Sequence, residues 1–273
     1  MNRTARLTHP MIERRTSTDR RRRAAPDEVA SLARAIARGE IEVLFQPQYS
    51  CENEAVVGAE ALVRWHHPEH GMLAGDRVFA LAQQAGLAPD LARHAHGIAM
   101  QAAVRWPDDV RLSLNATAVD LADPDFPSLL QACLAESGLS PARLTLEITE
   151  QALIDGLESA ARMLCALTDR GIAIALDDFG AGFCNFRYLK VLPLAALKLD
   201  RSMVEGITTD RRDLAVFRAI MAMARALDLK VIAEGVETAA QRAAVCREGC
   251  DRWQGFLGAE PMSADAFASL LAR

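Results

Sequence analysis

Ile172-Ala-Ile-Ala-Leu-Asp177-Asp178-Phe179-Gly180-Ala181-Gly182 is the stretch on which the fold turns. Its five apolar residues, with β-branched members, read as a buried strand, and the glycines beyond supply a turn. Two adjacent carboxylates stand where the apolar run stops. Like charges a few ångströms apart repel strongly in surroundings drier than water. The pair is therefore either a solvated turn with helix-capping aspartates or a site for a cation. The neighbouring segments decide between the two.

Similar units recur along the chain. Strands are predicted at 111–115, 144–148, 172–176, 196–199, 230–233 and 252–257, with helical stretches near 127–137, 155–170, 210–227, 238–247 and 264–272 between and after them. Upstream, a helix starts at Asp27 with Val29, Leu32 and Ile36 on one face. Runs at 41–48 and 56–67 flank a polar turn and predict a hairpin, and helical patterns fill 76–85 and 89–106. Repeated strand–helix units imply parallel strands joined by right-handed crossovers. Six such strands and the two of the hairpin make eight, enough to close an α/β barrel of the (β/α)8 type. An open doubly wound sheet is the alternative, but no Gly-x-Gly-x-x-Gly follows an early strand.

Composition agrees. The chain has 273 residues, 51% of them hydrophobic and 25% charged, and such barrels commonly occupy about 250 residues. No apolar run approaches the roughly 20 residues that cross a bilayer, and the arginine-bearing N-terminus lacks the apolar core of a secretory signal. A soluble, cytoplasmic protein is expected. Six cysteines lie scattered at 51, 133, 165, 184, 246 and 250, without zinc-site spacing, and are expected to be small core residues kept reduced. Residues 1–26 hold eight arginines against Glu13 and Asp19, a net +6; the whole chain is −5, so residues 27–273 carry −5 − 6 = −11. The opening segment 1–26 shows no apolar period and reads as a disordered basic tail, solvated or touching an anionic partner through Arg20–Arg23. Residues 27–273 form the barrel domain.

The ends of the strands carry the chemistry. Glu60, Asn115, Glu147, Asp177 with Asp178, Lys198, Glu234 and Gln254 each stand at or near the C-terminal end of an apolar run. In an alternating barrel that rim is where active sites are built. The five carboxylates carry −5 and Lys198 returns +1, a sum that two divalent cations bring to zero. Without them the carboxylates raise each other's pKa. Oxygen ligands without cysteine or histidine favour Mg²⁺ or Mn²⁺ over zinc. Paired metals about 3.5–4 Å apart are a recurring device for in-line attack on a phosphodiester. His66 and His67, beside Trp65 and Pro68, read as loop packing.

The same residues resemble a known family. Glu60-Ala61-Leu62 followed by Val-Arg64-Trp is the signature of the EAL family of cyclic di-GMP phosphodiesterases. Its other motifs follow in order: Gln46-Pro47, Asn115-x-Thr117, Glu147-x-Thr149-Glu150, Asp177-Asp178-Phe-Gly, Lys198-Leu-Asp200, Ala233-Glu234-Gly-Val-Glu237-Thr and Gln254-Gly-Phe. The resemblance runs from about residue 41 to 262 and implies a barrel whose first strand is antiparallel to the rest. It implies metal-dependent hydrolysis of cyclic di-GMP to the linear dinucleotide. Glu60, Asn115, Glu147 and Asp177 would hold one ion, and Asp177, Asp178 and Glu234 the other. Lys198, Glu234 and Gln254 would be catalytic, and Gln46, Leu62 and Arg64 would meet the nucleotide. Glu150 and Glu237 would brace the loop after Asp178, or serve as ordinary caps. The family pairs two barrels through that loop, which implies a homodimer.

The chain also departs from the family pattern. Hydroxyl-bearing residues are replaced at Ala181, Phe183 and Cys184, with Asn185 able to restore part of the hydrogen bonding; Gly75 stands at a usual proline, and Gly258 and Glu260 replace an aromatic residue and a lysine. The altered loop supports an alternative, a non-hydrolysing module that binds cyclic di-GMP or a protein. Every inferred ligand is nevertheless present.

Overall fold

A computed structural model describes residues 26–272 apart from 155 and 183–184. The basic tail, except Pro26, and the replacements at 183 and 184 lie outside the described residues. Strands β1 (Ile41–Ser50) and β2 (Val56–His67) form the expected hairpin, with Ile41 opposite Trp65 and Gln48 opposite Gly58. A short β3 (Gly71–Ala74) then folds back antiparallel onto β2. Sequence does not announce this strand, because four residues with only Leu73 buried leave no readable period.

The parallel strands follow: β4 (Arg111–Ala116), β5 (Leu144–Thr149), β6 (Ala173–Phe179), β7 (Ala196–Leu199), β8 (Lys230–Ala233) and β9 (Arg252–Trp253). They lie side by side from β2 round to β9, and β1 closes the ring by pairing antiparallel with both. With β3 outside on an edge, the remaining eight strands make a closed barrel whose first strand runs against the rest. The closure is thin: β9 meets β1 through the pairs Tyr49–Trp253 and Ser50–Arg252, extended by Cys51 N–H donating to the Asp251 carbonyl at 3.0 Å. Stacking of the Tyr49 and Trp253 rings, 4.6 Å between centroids, supports it, as does a bridge from Phe45 to Met262.

Side chains alternate across each strand. Those facing outward, such as Leu112, Leu146, Ile174, Leu176, Leu197 and Val231, are buried beneath the helices in one large core. Ala175, Ala196 and Ile232 form a separate small cluster inside the barrel. Phe45 is fully buried, edge-on to Trp106 at 5.2 Å and against Phe267, and locks the first strand to the helices. Burial of such a ring stabilises by roughly 3 kcal/mol. Below the barrel Arg143 donates to the carbonyls of Val110 and Ala103 at 2.9–3.1 Å, fastening the chain ahead of β5.

Two expectations need correction. The last strand stops at Trp253 rather than 257, because Gly255 lies so close to the Val236 backbone that a Cβ there would collide with it. Nor are all the cysteines unpaired: Cys51 and Cys246 form a disulfide, their Cα atoms 5.1 Å apart across a sequence separation of 195. The fold brings the end of β1 beside the C-terminal end of the helix Ala239–Arg247, a proximity that spacing in sequence conceals. Cys133 and Cys250 are free and buried, and Cys165 is free but exposed. The space above Gly258 is filled by the Tyr49 ring, so glycine there fits a local repacking.

Candidate metal-dependent active site

The predicted carboxylates meet at the C-terminal mouth of the barrel. Glu60 of β2, Glu147 of β5 and Asp177 of β6 place ligand oxygens within 4.8 Å of one another, and so do Asp177, Asp178 and Glu234. Asp177 belongs to both groups. Asn115 of β4 joins the first through its Nδ2, which donates to Glu60 Oε1 at 2.8 Å and turns its own side-chain oxygen free for a ligand. No histidine enters these groups among the described residues; His66 instead pairs with Glu42 at 2.7 Å.

Adjacent strand residues ordinarily face opposite sides, so Asp177 and Asp178 cannot share a mouth without a break. The break is present. Pairing of β6 with β7 skips between Leu176 and Phe179, and Asp178 takes a left-handed backbone with φ 55°. That conformation costs a non-glycine residue about 1–2 kcal/mol. Asp178 N–H also donates to Asp177 Oδ1 at 2.9 Å, which fixes the carboxylate shared by both groups.

Lys198 is the hub. Fully buried, its Nζ lies 2.6 Å from Glu147, 2.9 Å from Glu234, 3.1 Å from Asp177 and 3.2 Å from Glu60. Gln254 donates from Nε2 to Glu60 at 2.8 Å and to Gln46 at 3.0 Å. Burial pushes Glu147 up to about 8, with Lys198 pulling it down and Glu60 and Asp177 pushing it further up. Burial likewise raises Asp177 and Asp178, and raises Glu234 strongly. Glu60 goes the other way: burial opposes its charge, but Lys198 and the hydrogen bonds from Asn115 and Gln254 outweigh burial. Burial also works against Lys198, yet the four carboxylates around it hold it protonated. Such an acidic set, with one lysine among five carboxylates and with Glu147 Oε1 lacking a hydrogen-bond partner among the described residues, fits hard divalent cations.

The remaining predicted residues scatter more. A cavity of about 310 Å³ at the mouth is lined by Gln46, Glu60, Asp177, Asp178, Glu234 and Gln254 among others. Leu62 and Arg64 continue along β2 on the Glu60 face, half-buried and beyond that lining. Arg64 Nη1 donates to the Val63 carbonyl at 2.9 Å. Glu150 accepts from Asn185 N–H at 3.3 Å and so touches the loop after Asp178. Glu237 instead pairs with Arg201 at 2.8 Å. Asp200, Arg201 and the exposed Phe256 also line the cavity. None of these three was singled out from sequence, although Asp200 and Phe256 lie within quoted motifs.

A family model described as the EAL domain matches residues 29–261. The chain belongs to the EAL domain family. This EAL barrel is 34% identical over 245 residues to the bifunctional diguanylate cyclase/cyclic di-GMP phosphodiesterase MucR of Pseudomonas aeruginosa, a match covering 88% of this chain and 36% of that protein. It is also 34% identical over 244 residues to the cyclic di-GMP phosphodiesterase NbdA of the same organism, covering 88% and 31%. The chain thus spans about a third of the length of these relatives. Among solved structures, the MucR phosphodiesterase in complex with cyclic di-GMP superposes with a TM-score of 0.82 at 33% identity, covering 88% of this chain and 99% of that one. The EAL enzyme Bd1971, in a form bound to cAMP and cyclic di-GMP, gives 0.83 at 28% identity, covering 90% and 69%. No helix among the described residues is long and apolar enough to cross a membrane.

Proposed function

We propose that this EAL barrel hydrolyses cyclic di-GMP to the linear dinucleotide pGpG with two divalent cations, Mg²⁺ or Mn²⁺. The observation that carries the reading is Asp177, shared between two groups of carboxylates at one mouth. Glu60, Asn115, Glu147 and Asp177 would hold one ion, and Asp177, Asp178 and Glu234 the other. Bound there, the pair supplies Lewis acidity toward the phosphodiester and lowers the pKa of the attacking water.

The chain's own groups do the rest. Lys198, held protonated, presents a fixed positive charge where negative charge develops on the phosphoryl oxygens. Gln254 offers an amide beside it and ties Gln46 to the ring, so the nucleotide-facing side chain and the reacting centre share one support. Glu234 reaches both the cavity and Lys198, and is placed to take up a proton. Leu62 and Arg64 would contact the nucleotide above the mouth, Arg64 through a fork suited to phosphate.

Glu150 would brace the loop after Asp178 through Asn185, and Glu237, paired with Arg201, would do so from the cavity rim. Ile154 and Phe186, exposed at 69% and 61%, flank the Glu150–Asn185 contact and support pairing of two barrels on that face. The reading further takes the protein to act in the cytoplasm, with residues 1–26 as a tail that meets an anionic partner. Purified protein incubated with cyclic di-GMP and Mg²⁺ or Mn²⁺ should yield pGpG, and Glu60→Ala should not. Binding of cyclic di-GMP without product at saturating metal would overturn hydrolysis and leave a receptor.

A further inference from the structure

Beneath the carboxylate ring lies a second polar layer that the proposed hydrolysis does not use. Alternation along the strands identifies it. Asn115 and Gln254 both reach Glu60, and Gln254 reaches Gln46, so all three face the lumen. Arg111, Arg252 and Gln48 lie an even number of residues away on β4, β9 and β1, and face it too. Between them the lumen wall is made of small side chains, among them Gly58, Ser113, Ala175 and Ala196. Barrels of this class ordinarily fill that space with bulky branched residues. Here Ile232 is the bulky branched residue of the inner cluster, and two arginines share the filling.

Both arginines are half-buried, and neither has a hydrogen-bond or ion-pair partner among the described residues. Burial pushes both guanidiniums below their usual value; for Arg252 the nearby charge of Arg111 adds to the effect, and Asp251 and Glu147 offset it only in part. The third group is Gln48, 1% exposed, whose Nε2 is a buried donor without an acceptor among the described residues. It stands opposite Gly58, which stands opposite Arg111; Ser50, two residues on, is paired with Arg252. The nearest acids, Asp251 and Glu147, act on Arg252 through space, but their hydrogen bonds go to other donors. Asp251 accepts from Lys230 at 2.8 Å and from Val231 N–H at 2.9 Å, and Glu147 is held in the upper ring by Lys198.

Two cations with no bonded acid and a buried amide donor thus gather at the floor of the lumen, and no group among the described residues accepts a hydrogen bond from them. We propose that Arg111, Arg252 and Gln48 form an anion site, separate from the metal mouth, for a small oxyanion of the phosphate class. Guanidinium forks match the oxygens of such an ion, and the Gln48 amide gives the buried donor its acceptor.

The test is titration of the full chain with inorganic phosphate in the presence of a chelator, at constant ionic strength with chloride as the balancing anion. Calorimetry and phosphorus NMR line widths supply the readouts. Saturable binding of one phosphate per chain is expected, weakened about tenfold or more in Arg252→Met and in Arg111→Met, whose side chains keep the packing, and less in Gln48→Leu. Should either arginine variant fail to fold, the other arginine variant and Gln48→Leu carry the comparison. Wild-type protein that shows no saturable binding overturns the proposal. So does affinity unchanged in the folded variants, since the anion would then sit elsewhere.

Discussion

Replacing Lys198 with methionine isolates the electrostatics of the mouth. The side chain keeps its length, but the ammonium that touches four carboxylates at 2.6–3.2 Å is gone. Removing one partner from a buried ion cluster costs about 3–5 kcal/mol, because the charges left behind have neither water nor a counterion. In a domain of this size each kcal/mol moves Tm by about 2–4 °C, so metal-free Lys198→Met should melt about 10 °C below wild type. The deficit depends on pH. Glu147, already pushed up to about 8, takes up a proton below that value and softens the loss, so the gap should be wider at pH 8.5 than at pH 6. Divalent cations replace the missing charge, and saturating Mn²⁺ should therefore raise Tm more in the variant than in wild type. Differential scanning calorimetry with chelator and with metal reads all of this. A variant that melts with wild type in chelator at pH 8.5 would refute the idea that Lys198 holds the carboxylates together.

Metal-free protein should lose stability as pH rises from about 5 to above 8: the folded state binds protons on Glu147, Asp177 and Glu234 more tightly than the unfolded chain, so stability present below the unfolded pKa values drains away as the folded ones are passed. Mn²⁺ affinity, measured by calorimetry, should rise over the same range as those protons leave, and a flat profile would contradict it. The Cys51–Cys246 bond closes a loop across a separation of 195, for which the chain-entropy relation gives about 5 kcal/mol. Reductant should accordingly lower Tm by about 10 °C in wild type and leave Cys51→Ala/Cys246→Ala unmoved; equal melting of reduced and oxidised wild type speaks against the bond.

The barrel was legible because its parallel strands announce themselves as short apolar runs, each ending in a polar residue. Glu60, Glu147, Asp177 and Glu234 could be placed at one rim from that pattern alone, and the structure gathers them. What sequence conceals is geometry set by distant partners. Nothing in the run Ala-Leu-Asp177-Asp178 declares a skipped pair and a left-handed residue, though the doubled carboxylate is the trace they leave. Lys198 reads as one more strand end, and only the closed ring shows it reaching four acids at once. Arg111 and Arg252 look like ordinary starts of strands, since their inward direction depends on the phase of Asn115 and Gln254. The disulfide was hidden for the same reason, its halves being joined by the closure of the barrel.

That closure also sets an order of events. Tyr49 and Ser50 find Trp253 and Arg252 only across some two hundred residues, and the Phe45–Met262 bridge spans still more. While a nascent chain lacks these late residues, β1 has an open edge and Gln46 has no Gln254 to grip it. An emerging barrel therefore lacks the Gln254–Gln46 link at its mouth until its last strand docks. Long-range pairing of this kind is the slow part of assembly, so the mouth is completed only with the final turn of the ring.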